Sequence, residues 1–180
     1  NDDDIIFIAI GSIGRGKDPL SVIKAFQKVS LKINTNRQAR LIFLGKGPLL
    51  SKCHFLIGND STIEMKGYVS NADEYLKIAD YSICASRSEG FGLNFIESVM
   101  SAIPVIGSDI GPFKEFTALY PDLKILQFHS GSCHELAAKI EQSSKLSIDL
   151  STASSDARDR FSSKRMAEEY MAFYQEIKFN

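Results

Sequence analysis

The sequence predicts an α/β domain, a doubly wound parallel sheet of about six strands flanked by helices. Three observations carry that expectation. Short apolar runs alternate with segments of helical period along the chain. The runs at 5–10 and 81–85 are apolar at nearly every position, as in strands covered on both faces. Glycines stand where the runs end, at the turns that lead into helices.

Residues 5–11 read as the first strand. Asp18-Pro19 then supplies an N-cap and a first-turn proline for a helix expected to run to about Ile33. A second strand spans 40–45, followed by a helix over about 49–56. Residues 62–66 form the third strand, 72–79 a helix, and 81–85 the fourth, buried strand. Leu93, Ile96, Val99 and Met100 then recur at helical spacing. Residues 104–107 are a short buried strand and 124–128 the last strand. Helices over about 133–142, 150–160 and 164–177 close the chain, and the serine-rich stretch 143–155 reads as a linker. In the final helix Met166, Tyr170, Tyr174 and Ile177 share one face. A core-facing stripe is the expectation, with a bare interface as the alternative.

With 180 residues the chain supports one good core, so residues 1–180 are read as a single domain. A formal net charge of −1 gives no reason to expect nucleic acid or an anionic membrane as partner. The three cysteines, Cys53, Cys84 and Cys133, have no metal-type spacing and read as buried or half-buried thiols in a reducing, cytoplasmic setting, without a disulfide. The longest apolar stretch, 5–10, is far short of the roughly 20 residues that cross a bilayer.

The most informative segment is Ser-Arg-Ser-Glu-Gly-Phe-Gly-Leu-Asn-Phe-Ile-Glu over 86–97, at a strand-to-helix turn. Gly90 and Gly92 leave room for a ligand near the backbone. The amides of Phe91, Gly92, Leu93 and Asn94 offer an anion site at the positive end of a helix, suited to phosphate. Glu97 lies one turn beyond Leu93 and tilts back toward that site. A carboxylate so close to a diphosphate needs donors, and a ribose diol supplies two hydroxyls. Glu89, at the turn, would face whatever hangs from the distal phosphate, and a sugar fits there.

On these residues the sequence resembles the retaining GT-B glycosyltransferases, the large group that includes glycogen synthases and mannosyltransferases of cell-envelope glycan assembly. Glu89 to Glu97 resembles its Glu-x7-Glu signature, and 104–115 the strand and glutamate that follow. Gly11-Ser-Ile-Gly-Arg-Gly-Lys17 resembles a strand-end glycine with a phosphate-binding lysine. Leu44-Gly-Lys-Gly-Pro48, with Gly45 and Gly47, resembles a Gly-x-Gly-Pro turn, and Lys66-Gly-Tyr-Val69 a strand exit. The matched motifs cover roughly residues 5–117.

The resemblance implies a Rossmann-like donor-binding half of a GT-B enzyme, lacking its N-terminal half. It implies transfer of a sugar from a nucleotide-diphosphate donor, of the UDP, GDP or ADP type, to an acceptor hydroxyl, with retention and no resident metal or cofactor. Lys17 and the backbone around Gly11 and Ser12 would meet the diphosphate, with the helix start at 92–94. Backbone at Tyr68 and Val69 would meet the base, Glu97 the ribose, and Glu89 the donor sugar and its cationic transition state. Lys17 and Glu89 are thus the catalytic candidates. A glycan or lipid-linked acceptor would be held by the absent half, which allows the full-length protein to associate peripherally with the cytoplasmic face of a membrane.

The chain departs from the family where arginine usually follows the strand-end glycine, because Ser12 stands there; Arg15 and Arg87 are candidate replacements. Ser98 and Ala102 replace a family alanine and glycine, changes of packing more than chemistry. Glu115 is expected outside the catalytic set. A Walker A reading of Gly11 to Lys17 fails at Asp18, where Mg²⁺ binding needs Ser or Thr. A dinucleotide fingerprint fails on glycine spacing. The Asp-x-Asp of residues 2–4 reads as a solvated charge run, and the three histidines give no zinc ligand set. A GT-B-type nucleotide-sugar epimerase and a non-catalytic nucleotide-binding or scaffold module are the alternative functions.

Overall fold

The run Ile-Ile-Phe-Ile-Ala-Ile forms strand β1 (Ile5–Ile10) with both faces covered: Ile5, Phe7 and Ala9 join one apolar cluster and Ile8 another. The structure, a computed structural model, describes residues 4–29 and 38–178. β2 (Ala39–Leu44), β3 (Ile63–Gly67), β4 (Tyr81–Cys84), β5 (Val105–Ser108) and β6 (Gln127–Phe128) complete an all-parallel sheet in the order β3-β2-β1-β4-β5-β6. The chain steps from β1 out to β3, then crosses back to lay β4 on the other side of β1. That reversal opens a crevice at the carboxyl ends of β1 and β4.

Helices α1 (Pro19–Val29), α2 (Leu50–Ile57) and α6 (Cys133–Ser143) bury Val22, Ile23, Phe26, Cys53, Leu136 and Ile140 against one face. Phe7 anchors this layer, edge-on to Phe26 at 5.7 Å and stacked on Tyr81 at 5.3 Å. The Tyr81 hydroxyl donates to the Ser143 carbonyl at 2.6 Å, tying β4 to the end of α6. α3 (Ala72–Lys77) closes the other face through Leu76. α4 (Leu93–Met100), α5 (Gly111–Leu119) and α7 (Ser151–Arg160) enclose a further cluster built around Phe95, Val99, Phe113, Phe116 and Ala157.

Several expectations are corrected here. Helix α5 is absent from the elements expected above; Pro112 occupies its first turn, and it buries Phe113 and Phe116. The last strand is reduced to Gln127–Phe128, since a 3₁₀ turn over Pro121–Leu126 takes the residues before it. The serine-rich stretch is no loose linker: Ser143, Leu150 and Ser154 are buried, and Ser154 Oγ donates to the Met100 carbonyl at 2.7 Å. Asp4 is buried with Arg40 Nη1 at 3.7 Å, not solvated; Asp2 and Asp3, and the expected end of α1 near Ile33, lie outside the described residues.

α8 (Ser163–Lys178) overturns the core-facing expectation. Met166, Tyr170, Met171, Phe173, Tyr174 and Ile177 are each 56–59 % exposed, along one broad face of the helix. The core is already closed ahead of it by Ala157 of α7 and by Phe161, which meets Phe116 edge-on at 5.7 Å.

Ala102, just past the C-cap of α4, has φ +59, in the left-handed region where a Cβ is strained. Ala102→Gly is therefore expected to stabilise the fold by about 0.5–1 kcal/mol in a denaturant titration, in spite of the entropy glycine adds to the unfolded chain.

Candidate functional site

Two loops meet at the carboxyl edge of the β1–β4 pair. Residues 11–18 lead from β1 to α1, and residues 85–92 lead from β4 to α4. Arg87 joins them twice: its N–H donates to the Gly16 carbonyl at 2.8 Å, and Nη2 lies 2.7 Å from Asp18 Oδ2. Asp18 was expected to cap α1 with its side chain. Instead it takes φ +47 at the end of a 3₁₀ turn over Arg15–Lys17, and its carboxylate pairs across to Arg87.

Lys17 is the centre of the arrangement. Its Nζ donates to Glu89 Oε1 at 2.5 Å and to Asn94 Oδ1 at 3.3 Å. Ser86 Oγ donates to the same Glu89 oxygen at 2.6 Å, and Ser86 is itself wholly buried, its carbonyl accepting from Ser108 Oγ at 2.6 Å. Both of these bonds to Glu89 therefore fall on one oxygen.

A cleft of about 420 Å³ is lined by Ile10, Gly11, Lys17, Glu89, Phe91, Gly92, Leu93, Asn94 and Glu97. It adjoins, through Ile10 and Gly11, a mostly apolar cleft of about 380 Å³ lined also by Ser12, Leu44, Gly45, Lys46, Tyr68 and Val69. The structure thus gathers most of the predicted residues along one edge. Gly47 and Gly90 line neither cleft; a Cβ at Gly47 would stand 2.5 Å from the Ile13 carbonyl oxygen, so its role is to let two loops touch. Neither Arg15 nor Arg87 lines a cleft, and Arg87 is committed to Asp18. Glu115 is exposed on α5.

Two glycines are needed for reasons the sequence reading did not give. Gly45 has φ +147, and a Cβ there would lie 1.8 Å from the Gly11 carbonyl oxygen, so the β1 and β2 exits touch backbone to backbone. Gly92 has φ +96 and would drive a Cβ to 2.5 Å from the Phe113 ring, so packing under the turn excludes a side chain there, not a ligand above it. As the residue before α4, Gly92 also takes the first helical bonds: its carbonyl accepts from Phe95 and Ile96 N–H. The amides of Gly92, Leu93 and Asn94 precede any intrahelical acceptor.

Electrostatically the larger cleft holds one cation, Lys17, against Glu89 and Glu97. Glu97 as a residue is exposed, but partial desolvation by the cleft walls raises its pKa, with Lys17 opposing. Beneath the turn, burial pushes the Cys84 thiol up to about 12, so it stays neutral and acts as a packing group. Ser86, Lys46 and the side-chain role of Asn94 were not singled out from sequence. Ser86 stands three residues before Glu89, the spacing of a local side-chain bond, which was the available signal.

The fold and this site define an α/β domain whose clefts straddle the switch point of a parallel sheet. The profile of the glycosyl transferases group 1 family matches residues 1–160, and the chain belongs to that family. N-acetyl-alpha-D-glucosaminyl L-malate synthase of Bacillus anthracis is 26 % identical over 118 residues, 64 % of this chain and 30 % of that protein. The match covers under a third of the curated relatives it aligns with. Among solved structures, a glycosyltransferase from Rickettsia africae superposes with a TM-score of 0.81 at 24 % identity, over 99 % of this chain and 49 % of its own. The pneumococcal O-GlcNAc transferase GtfA, solved with UDP and GlcNAc, gives 0.80 at 20 % identity, over 99 % of this chain and 37 % of its own. These likenesses establish the GT-B-type Rossmann-like fold.

The raised Glu97 pKa has a consequence for stability. Between the ordinary carboxylate pKa and the raised one, the folded state holds more protons than the unfolded chain, so stability falls as pH rises through that window. Glu97→Gln is expected to raise Tm at pH 7 by about 1–2 °C, discounted for solvent screening, and to lose the advantage once the pH is below the ordinary carboxylate range.

Proposed function

We propose that this chain is the donor-binding, C-terminal half of a retaining glycosyltransferase, binding a nucleotide-diphosphate sugar for transfer to an acceptor hydroxyl in glycan assembly. The observation that carries the reading is Lys17, held between Glu89 and Asn94 and facing Glu97 across one cleft that continues into an apolar slot. The slot at Tyr68 and Val69 suits a base, and the lysine and the α4 amides suit a diphosphate. Glu97 suits the ribose diol, and the Glu89 end of the cleft suits the sugar. Relatives named for glycan assembly, such as the O-antigen biosynthesis glycosyltransferase WclY of Escherichia coli, support the class of product.

In the transfer step the bond between the anomeric carbon and the diphosphate oxygen breaks, and the electron pair leaves with the phosphate. Lys17 and the amides around Ser12 and at 92–94 meet that developing charge, an electrostatic role that a metal ion plays elsewhere. Glu89 steadies the cationic sugar. The acceptor oxygen bonds to the anomeric carbon on the face the phosphate leaves, and the group that takes the acceptor's proton belongs to the acceptor-binding half of such an enzyme.

On this reading the isolated chain binds donor and turns over poorly or not at all. The bare apolar residues of α8 pack on the other half, and the free thiols Cys53, Cys84 and Cys133 suit a cytoplasmic protein.

Calorimetry with UDP, GDP and ADP and their sugar conjugates tests the assignment. Glu97→Ala should weaken binding of both nucleotide and conjugate by ~1–3 kcal/mol, whereas Glu89→Ala should cost the sugar conjugate more than the free nucleotide. Equal affinity of wild type and Glu97→Ala for the nucleoside diphosphate that binds would refute the ribose assignment.

A further inference from the structure

Lys17 has three ammonium hydrogens, and among the described residues two acceptors meet them, Glu89 Oε1 and Asn94 Oδ1. The two acceptors are not equivalent. Glu89 cancels the lysine's charge and, on the donor-binding reading above, turns to the sugar once the site is filled. Asn94 carries no charge, and its carboxamide is fixed.

What fixes it is the donor end of the same group. Asn94 is 7 % exposed, its Nδ2 donates to the Ile10 carbonyl at 3.2 Å, and the same nitrogen lies 3.4 Å from Cys84 Sγ. A carbonyl oxygen only accepts, so the amide nitrogen must face Ile10 and the amide oxygen is left for Lys17. Ile10 closes β1 and Cys84 closes β4. The carboxamide is thus braced by the ends of the two strands that frame the crevice. From the helix side, Ser98 Oγ donates its one hydrogen to the Asn94 carbonyl at 2.8 Å and can accept from Ser82 Oγ of β4, 2.9 Å away.

We infer that Asn94 is a positioning residue, whose side chain holds the Lys17 ammonium at the cleft independently of Glu89 and leaves the third N–H for a phosphate oxygen. This role adds to the one its backbone amide plays at the start of α4. A neutral acceptor is the right chemistry for it: it directs the cation without spending its charge, where a carboxylate would repel the phosphate.

The inference rests on the donor-binding reading for its purpose but not for its test. In the ligand-free chain, side-chain ¹⁵N relaxation of the Lys17 ammonium is expected to show greater mobility in Asn94→Leu than in wild type. Asn94→Asp trades the brace to Ile10 for a full negative charge on the acceptor, and its ion pair with the lysine should retain the rigidity. Unchanged mobility in Asn94→Leu overturns the inference whatever the chain binds. So does equal loosening in both variants, which would mark Asn94 as mere support for the turn.

The second measurement compares UDP with uridine, GDP with guanosine and ADP with adenosine. For the pair that binds, Asn94→Leu should lower the ratio of diphosphate to nucleoside affinity about tenfold, the value of one well-placed charged hydrogen bond. In a Lys17→Ala background the same substitution should add less than about twofold. Equal loss for nucleoside and diphosphate contradicts the positioning role. If none of the three pairs binds the wild type, the donor-binding reading fails, while the relaxation measurement still decides whether Asn94 holds Lys17.

Discussion

The parallel pairing of β1 with β4 is the constraint on which the rest of this structure depends. Phe7 is in register with Tyr81 and Ile8 with Ser82, although two further strands and three α-helices separate them in sequence. Phe7, buried between Phe26 and Tyr81, locks that pairing from one face, and Ile8 locks it from the other. Because the pairing is parallel, both strands end at the same edge. The loop carrying Lys17 and the turn carrying Glu89 are thereby delivered side by side without any contact of their own having to bring them there. The Arg87 links to Gly16 and Asp18 then fix the loops' relative height.

The chemistry at that edge follows from an imbalance of charge. Among the described residues that line the larger cleft, one lysine faces two carboxylates, so side chains alone make a poor host for a diphosphate. Arg87 is spent on Asp18, Arg15 stands outside, and Ser12 brings no charge. On the donor-binding reading, the amides that precede the first helical bonds of α4 carry much of the phosphate's charge, and Lys17 has to be aimed well. A donor sugar resolves the remaining conflict if its hydroxyls take the place of Lys17 at Glu89 and its ribose takes up Glu97. On the proposed reading, those hydroxyls would relieve both the Lys17–Glu89 ion pair and the raised Glu97 pKa.

Much of this was legible in the sequence. Strand β1 is a continuous apolar run and β2, β4 and β5 are largely apolar, the pattern of strands covered on both faces. The segment from Glu89 to Glu97 announced its turn and its helix, and the cleft brings Glu89, Glu97, Lys17 and Asn94 together. What stayed hidden were contacts between distant segments. Gly92 is glycine because of Phe113, and Gly45 because of the Gly11 carbonyl, neither of which has a local signal. Asp18 reads as a cap until Arg87 is seen beside it. α5 is absent from the expected elements, and Gly-Pro punctuates turns and first helical turns alike. For α8 the apolar spacing spoke of burial, and the structure shows it exposed; periodicity says that a face wants cover, not which body supplies it.

Saturation-transfer NMR on this chain with UDP, GDP and ADP, each alone and as its common sugar conjugates, tests the central claim most directly. The account predicts that one nucleotide binds, that its ribose protons receive strong transfer, and that a particular sugar strengthens the binding. Absence of transfer to any of them, in this chain and in the full-length protein alike, would contradict it.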